Sequence, residues 1–233
     1  MPQKKEDTSV RDIFSIVAPY IDPLDTAFSL GLCHLWRRRL VSDIGKGEKV
    51  LDLCTGTGEV AKLLLKKIGS EGSLTCLDFC EDMLAIAKKK LSPLPQNMTF
   101  VVSDVREMDF SGNTFDAVTV AFGMRNVPDN GTALKRILEV LRPGGRFFCL
   151  ELTKPGRRWL LPLYKWYTFT FMPAVARIIT KSEVPYTYLP RSIEAFYPPE
   201  EFQRLMKESG FGDVKALSLS MGVATLYSGI KGR

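Results

Sequence analysis

Apolar and polar residues follow two alternating patterns between residues 46 and 152. Short runs rich in Val, Leu and Phe have the composition of buried strands, and several segments between them repeat apolar residues at helical spacing. The predicted strands are 49–54, 73–78, 98–103, 115–121 and 145–152, and the predicted helices are 60–68, 81–91 and 131–141. Strands that alternate with helices favour an α/β fold, in which a mostly parallel sheet carries helices on both faces.

The end of the chain departs from this alternation. A predicted helix at 199–209 is followed by two predicted strands, 213–219 and 223–231, with only a short turn between them. Two consecutive strands favour a hairpin, and therefore one antiparallel strand in a seven-stranded sheet. Earlier in the chain, "RPGG" at 142–145 should end a helix and start the fifth strand, because Pro and Gly terminate helices.

Two segments lie outside the alternating pattern. Residues 1–45 are predicted to form a helical N-terminal cap, and 46–233 the main domain. Residues 154–198 form an insertion before the last helix, and this insertion contains the aromatic run "WLLPLYKWYTFTFMP". Its uncharged stretch, 166–176, is too short to span a bilayer. The insertion could cover a substrate, contact a membrane interface or simply pack on the domain.

The composition narrows the class of protein without identifying it. The chain has 233 residues, a formal net charge of +6 and 45% hydrophobic residues, which fits one sizeable globular domain with an appendage. Part of the positive charge lies in "WRRR" and "KPGRR". Such clusters suit solvated faces, nucleic acid or an anionic membrane surface, and the excess is too small to require any one of them.

The cysteines, the single histidine and the hydropathy limit the remaining possibilities. Five Cys without a C-x-x-C pair, together with the single histidine His34, argue against a disulfide scaffold and a metal site. The start "MPQKKEDTSV" lacks the apolar core of a secretory signal, and no apolar run of about 18 residues predicts a transmembrane helix. We therefore expect a cytoplasmic protein without a metal. Peripheral contact with a membrane and a homo-oligomer stay open.

The stretch "VLDLCTGTGE", residues 50–59, carries the first chemical signal. A strand, a glycine turn and a helix start form a nucleotide site, and the turn resembles the dinucleotide motif G-x-G-x-x-A. Asp52, Gly56, Thr57 and Gly58 should surround the ligand. A pyrophosphate beside Asp52 would meet like charge, whereas a ligand with an amino group and a sulfonium would be attracted. The turn therefore favours S-adenosylmethionine over NAD, which remains the alternative.

Further carboxylates follow the next two predicted strands. Asp78 ends the second strand, where a carboxylate can accept hydrogen bonds from both ribose hydroxyls, in NAD sites as well. Asp104 and Val105 follow the third strand. There the carboxylate could meet the adenine amino group while the apolar side chain packs on the ring, although Asp104 could also be a simple cap. These spaced features at successive strand ends strengthen the glycine signal.

Several longer motifs resemble the menaquinone/ubiquinone biosynthesis C-methyltransferases. The resemblance is carried by "VLDLCTGTGE", "FDAVTVAFGMRNVPD", "LRPGGRFFCLELTKP", "YTYLPRSIEAF" and "SLGLCHLWRR". It covers about residue 12 to the end, and "FGMRNV" is its most specific part. It implies a Rossmann-like class I methyltransferase fold and S-adenosylmethionine-dependent methylation of a ring carbon in a prenylated quinol. Demethylmenaquinol is the first substrate implied, and a ubiquinone precursor is the alternative.

We expect a catalytic set of Arg125, Asn126 and Asp22, in which Asn126 would orient the same loop as Arg125. Arg125 follows the fourth strand, where its cation could stabilise a developing phenolate, and an activated water is a more plausible base than the guanidinium. A structural ion pair is the other interpretation of Arg125. The chain departs from the family by having Ile21 before Asp22, Cys33 in place of a usual histidine, and Tyr227 in place of another.

Two rival functions remain at the level of sequence. A methyltransferase acting on RNA or another small molecule would share the fold, but the fourth strand lacks the Asn/Asp-Pro-Pro-Tyr run that grips an exocyclic amine, so we expect no nucleic-acid partner. An NAD-binding oxidoreductase would need a turn that tolerates phosphate, and Asp52 opposes that.

Overall fold

The structure, a computed structural model, describes residues 3–155, 159, 161–180 and 188–232. The strands are β1 (Lys49–Leu53), β2 (Ser73–Asp78), β3 (Met98–Val102), β4 (Phe115–Ala121), β5 (Leu141–Leu152), β6 (Phe211–Leu219) and β7 (Ala224–Lys231). The α-helices are α1 (Gln3–Val17), α2 (Ile21–Phe28), α3 (Leu32–Leu40), α4 (Glu59–Ile68), α5 (Glu81–Lys90), α6 (Asn130–Val140), α7 (Leu161–Trp166), α8 (Met172–Thr180), α9 (Tyr188–Ala195) and α10 (Pro199–Glu208). Parts of the predicted insertion, 156–158, 160 and 181–187, lie outside the described residues.

The strands form a seven-stranded sheet in the order β3-β2-β1-β4-β5-β7-β6. All neighbouring pairs are parallel except those of β7, which is antiparallel to both β5 and β6. The predicted mostly parallel sheet with one antiparallel strand is confirmed. The chain order reverses direction between β1 and β4, and the crevice at the carboxyl ends of these strands is where open α/β sheets bind ligands.

The predicted break at "RPGG" is wrong in detail. Helix α6 ends at Val140, and β5 begins directly at Leu141, so the motif lies inside the strand. The register between β4 and β5 shifts from Phe115↔Leu141 to Ala117↔Arg146. Gly144 has a φ of +76°, a left-handed conformation that glycine adopts without strain. The motif therefore forms a bulge that lengthens β5.

Apolar side chains cover both faces of the sheet. Along β1, Val50 belongs to one buried cluster and Leu51 to the other, as expected for side chains that alternate across a strand. The first cluster includes Trp36 and Leu40 of α3, so the N-terminal helices share a core with the sheet. A boundary at residue 45 stays a prediction. Tyr227, which stands where the family usually has a histidine, is fully buried in the second cluster.

The described part of the insertion between β5 and α10 is helical. Helix α7 continues through a π-helical turn, Tyr167–Phe171, into α8, and α9 follows after the undescribed residues. None of the helices in the described ranges is long and apolar enough to cross a bilayer.

Candidate active site

The glycine turn after β1 has the backbone that its sequence requires. Gly56 and Gly58 have φ values of +56° and +86°, which side chains with a Cβ rarely adopt. A Cβ on Gly58 would also lie 3.1 Å from Cβ of Ala87 on α5. Gly58 therefore lets α4 start close against α5, and it does not line the cavity described next. The prediction that it contacts the ligand is not supported by this position.

A cavity of about 130 Å³ lies at the carboxyl ends of β1, β2 and β4. It brings together most of the predicted ligand-binding and catalytic residues from elements far apart in the chain. Its wall includes Asp22, Asp52, Gly56, Thr57, Asp78, Asp104, Val105, Arg125 and Asn126. We refer to it as the cofactor cavity.

Asp52 is the most unusual carboxylate in the cofactor cavity. It is only 1% exposed, and its Oδ1 accepts a hydrogen bond of 2.7 Å from Oγ1 of Thr119. Its Oδ2 is buried and has no partner within the described part of the chain. Burial raises the pKa of Asp52 to about 7. Because an orphaned carboxylate oxygen is costly, it suits a ligand that supplies a positive charge, and this fits S-adenosylmethionine.

Asp78 holds the two turns that border the cavity. Its Oδ2 accepts a hydrogen bond of 2.8 Å from the backbone N–H of Gly56, and its Oδ1 accepts one of 2.9 Å from Cys80. Burial raises the pKa of Asp78, although these hydrogen bonds favour its charged form. A carboxylate has about four lone-pair sites, so Asp78 can fix the glycine turn and still accept bonds from a ligand.

The residues after β3 form the third side of the cavity. Asp104 pairs with Arg106 through two side-chain contacts, one of them 2.7 Å between Oδ2 and Nη2. Burial alone would raise the pKa of Asp104. The hydrogen bonds and the positive charge of Arg106 have the larger combined effect, and they hold the pKa of Asp104 below its usual value. Val105 is buried beside it. An apolar wall next to a charged acceptor suits the adenine of the ligand.

A cation from α5 compensates the other acids of the glycine turn. Nζ of Lys90 lies 2.9 Å from Oε1 of Glu59 and 2.5 Å from Oδ2 of Asp22. Oδ1 of Asp22 accepts a 2.5 Å hydrogen bond from Oγ1 of Thr57. Lys90 therefore balances part of the negative charge of Glu59 and Asp22. Asp52 is the acid of the turn that the described residues leave without a cation.

A second cavity, of about 370 Å³, adjoins the first. We call it the apolar cavity, because carbon-rich side chains from α2, α3 and the insertion form most of its wall. These include Phe28, Leu32, Trp36, Tyr164, Tyr167 and Met172. The insertion thus helps to enclose a cavity. Trp166 and Phe169, which the aromatic run also contains, do not line it and are 55% and 41% exposed.

Three residues, Asp25, Phe122 and Arg125, belong to the walls of both cavities. Nη1 of Arg125 lies 2.8 Å from Oε1 of Glu151 and also donates to the carbonyl of Phe122. Its Nε–H is buried and has no acceptor among the described residues. Arg125 therefore lies at the junction with its charge balanced by a buried acid and with one N–H that has no acceptor among the described residues.

Asn126 and its neighbours shape the same junction. Oδ1 of Asn126 accepts a 2.8 Å hydrogen bond from the hydroxyl of Tyr188 on α9, and its Nδ2 donates to the carbonyl of Phe122. Asn126 thus ties the turn after β4 to the insertion. His34, the single histidine of the chain, lines neither cavity, and its ring forms a hydrogen bond with Oγ1 of Thr26.

Sequence reasoning missed the ion pair of Asp25 and Arg37. Oδ2 of Asp25 lies 2.5 Å from Nη2 of Arg37, and both side chains line the cofactor cavity. Asp25 follows Asp22 by three residues on α2, a spacing that places both on one helix face. That spacing was the sequence feature that could have identified Asp25 as a second acid beside Asp22. The partnership of Arg125 with Glu151, 26 residues apart, had no local signal.

The sheet order and the cavity at the glycine turn are those expected of a class I S-adenosylmethionine-dependent methyltransferase. A solved methyltransferase from Aquifex aeolicus matches with a TM-score of 0.65 at 17% identity, covering 90% of this chain and 97% of that one. Phosphoethanolamine N-methyltransferase 2 of Haemonchus contortus, in complex with S-adenosyl-L-methionine, matches with a TM-score of 0.59 at 15% identity. That match covers 84% of this chain and 51% of the other.

The model of the ubiE/COQ5 methyltransferase family matches residues 2–231, and the chain belongs to this family. It is 38% identical over 233 residues to the ubiquinone/menaquinone biosynthesis C-methyltransferase UbiE of Rickettsia akari, covering 97% of this chain and 94% of that protein. It is 36% identical over 230 residues to a demethylmenaquinone methyltransferase of Staphylococcus aureus, covering 98% and 95%.

These matches confirm the predicted family, fold and methyl donor. The chain is an S-adenosylmethionine-dependent C-methyltransferase of quinone biosynthesis.

Proposed function

We propose that the substrate is demethylmenaquinol and that the product is menaquinol. The observation that carries this proposal is the apolar cavity, which meets the cofactor cavity at Asp25, Phe122 and Arg125. A quinol with a prenyl tail needs an apolar cavity for the tail and a polar junction for its ring oxygens. The name of the Staphylococcus aureus relative supports the naphthoquinol, while the UbiE relatives make a benzoquinol precursor of ubiquinone the second candidate.

The residues of the cofactor cavity would bind the methyl donor and aim it at the junction. S-adenosylmethionine supplies, when bound, a methyl group on a positively charged sulfur. We assign Asp52 to its positive charge, Asp78 to the ribose, and Asp104 with Val105 to the adenine. Gly56 and Thr57 give the turn its shape, and Asp22 holds Thr57. These roles rest on the cavity wall and the charges described above.

The junction residues would act on the substrate ring. The buried Nε–H of Arg125 lacks an acceptor among the described residues, and a phenolate oxygen would satisfy it. A donor preorganised for developing negative charge lowers the barrier more than it stabilises the ground state. Asn126 positions this turn through Tyr188. The apolar wall would exclude water from the ring.

The direct test is an assay with purified protein, S-adenosylmethionine and a reduced demethylnaphthoquinone. We expect a mass gain of one methylene on the quinol. Replacing Leu163 and Met221, two apolar residues in the wall of the apolar cavity, with Ser should raise KM for a long-tailed quinol about tenfold, because buried apolar area contributes about 25 cal/mol per Å². A tail-less analogue should change less than twofold.

Leu94→Ser provides the matched control for this assay. Leu94 is an exposed apolar residue before β3, at the amino edge of the sheet and away from both cavities. Equal KM changes for the two substrates would contradict the assignment of the apolar cavity to the tail. Methylation of a benzoquinol precursor in preference to the naphthoquinol would replace the proposed substrate with the second candidate.

We also propose that the mouth of the apolar cavity contacts an anionic membrane from which the quinol enters. Leu30, Leu163 and Met221 line this cavity and are 79%, 61% and 62% exposed. Exposed apolar side chains at the entrance of a lipid-binding cavity suit a bilayer interface, and the net charge of +6 favours anionic lipid.

Vesicle flotation tests this membrane contact, and the wild-type protein should float with anionic vesicles. The variant with Ser at positions 163 and 221 should float several-fold less, Leu94→Ser should behave as the wild type, and no flotation of wild type would refute the contact.

A further inference from the structure

Asp25 has the geometry of a proton acceptor at the junction of the two cavities. Its side chain lies in the wall of both cavities. Oδ2 is held by Nη2 of Arg37 at 2.5 Å. No described residue donates a hydrogen bond to Oδ1, which leaves one oxygen of a fixed carboxylate available. A base held in one orientation, with a free oxygen beside a substrate cavity, is prepared to accept a proton.

Other acids near the junction are not equally available. Glu151 is fully buried, and its oxygens accept bonds from Arg125 and from the backbone N–H of Leu152. Both oxygens of Asp22 are engaged, by Thr57 and Lys90. Asp52 lines the cofactor cavity and not the apolar one. Asp25 is thus the acid that reaches both cavities among the described residues.

The charged and titratable groups around Asp25 come from four elements. Arg37 on α3 and Arg125 after β4 favour its charged form, and Asp22 on the same helix opposes it. Burial is the largest influence and raises the pKa of Asp25 above its usual value. On the insertion side, Tyr164 and Tyr167 line the apolar cavity.

These tyrosines do not compete with Asp25 as bases. Burial raises the pKa of Tyr164 to about 12 and also raises that of Tyr167. Both hydroxyls are therefore protonated near pH 7, and Asp25 is the carboxyl group that lines the apolar cavity at the junction.

We propose that Asp25 accepts the hydroxyl proton of the quinol and so activates the ring for methylation. This role rests on the proposed quinol substrate. Oδ1 takes the proton as the O–H bond breaks, and the electron pair stays on oxygen. The ring carbon then forms a bond to the methyl group while the methyl–sulfur bond breaks and leaves its electron pair on sulfur.

The ring regains its aromatic form in the last step. The hydrogen on the methylated carbon leaves as a proton to water, and its electron pair returns to the ring. Asp25 then gives its proton back to the oxygen. The sum is one methyl group transferred, one S-adenosylhomocysteine formed and one proton released.

The test is the pH dependence of Asp25→Asn. At pH 7 a phenolic hydroxyl with a pKa near 10 is ionised to only about one part in a thousand, so loss of the base should lower kcat/KM about 100-fold or more. The deficit should shrink to less than tenfold near pH 9.5, where the ionised quinol no longer needs a base. Calorimetry should show S-adenosylmethionine affinity within twofold of wild type.

Two further variants separate this role from a structural one. Asp43→Asn removes an exposed acid from the same N-terminal segment and should match the wild type at every pH. Asp25→Asn combined with Arg37→Met removes both members of the ion pair, and should show the same pH-dependent deficit without an unpaired cation.

A deficit of equal size at pH 7 and 9.5, or turnover within threefold of wild type at pH 7, would overturn the proposal. Wild-type rates are the reference at each pH. Absence of wild-type turnover would contradict the proposed quinol substrate, whereas a constant ratio contradicts only the role of Asp25.

Discussion

Arg125→Ala is expected to destabilise the fold by about 3–5 kcal/mol, because it would leave Glu151 as an unpaired buried charge. The side chains of Arg125 and Glu151 are 9% and 0% exposed, and the pair is 2.8 Å apart. The melting temperature should therefore fall by roughly 10 °C for a chain of this size. A loss of activity in this variant alone would not separate catalysis from folding.

The paired variant, Arg125→Met with Glu151→Leu, makes that separation. Replacing both members of a buried ion pair by apolar residues is often neutral for stability, so the melting temperature should recover most of its loss. The Nε–H donor at the junction is still missing. We expect kcat to remain about 100- to 1000-fold below wild type, the range for removal of one donor to a developing oxyanion, with S-adenosylmethionine affinity unchanged.

An exposed ion pair supplies the control for the stability measurement. Arg136 and Glu139 are 3.0 Å apart with side chains 49% and 59% exposed, and exposed pairs contribute little. Arg136→Ala should therefore leave both melting temperature and kcat near wild type. If the paired Arg125 and Glu151 variant turns over within threefold of wild type, Arg125 is purely structural.

The sheet and the glycine turn could be predicted because their signals are local. A strand such as β2 is a short apolar run, and the helix after it repeats apolar residues at helical spacing, so each element is encoded within about ten residues. Gly56 marks a backbone conformation that other residues avoid. Asp78 and Asp104 could be placed at one edge because parallel strands end on the same side.

The charge balance of the site could not be predicted, because its partners are distant in sequence. Lys90 reaches Glu59 across 31 residues and Asp22 across 68. Nothing in the pattern of α5 distinguishes Lys90 from Lys88 and Lys89, which precede it. Only the packing of α5 beside Gly58 brings this amine to the turn.

The directions of the side chains around the apolar cavity could not be predicted from the sequence either. The aromatic run left open whether the insertion covers a substrate, contacts a membrane interface or packs on the domain, and it did not show which aromatic side chains line the apolar cavity. One residue rotates a helical side chain by about 100°, so neighbouring side chains in the run point in different directions. Tyr164 and Tyr167, three residues apart, share a helix face and line the cavity, while Trp166 and Phe169 do not.

The pH dependence of cofactor affinity is expected to report the charge of Asp52. Burial raises the pKa of this carboxyl to about 7 in the free protein, so it is charged above that value and increasingly neutral below it. A ligand that carries positive charge binds the charged form. The Kd for S-adenosylmethionine should be nearly constant from pH 7.5 to 8.5. It should rise tenfold for each pH unit below 7, reaching about 100-fold at pH 5.

The raised pKa of Asp52 also determines whether the folded protein gains or loses stability as the pH rises. A folded-state pKa above the usual carboxyl value means that the folded protein holds its proton more tightly than the unfolded chain. The ligand-free protein should therefore lose stability as pH rises from about 4 to 7, by about 1.4 kcal/mol for each unit of pKa difference. Asp52→Asn, which removes the ionisation, should be more stable than wild type at pH 8.

Asp52→Asn also provides the decisive comparison for binding. The amide can still accept the hydrogen bond that Thr119 donates to Oδ1, so the pocket should keep its shape, but no charge appears at any pH. The Kd of this variant should not change between pH 5 and 8, and it should stay high, so that binding is weak throughout. Calorimetric titrations of the two proteins should converge near pH 5, where wild-type Asp52 is protonated, and diverge by about two powers of ten at pH 8. Parallel pH profiles for the two proteins would show that Asp52 does not meet the positive charge of the methyl donor, and its orphaned oxygen would then need a different partner.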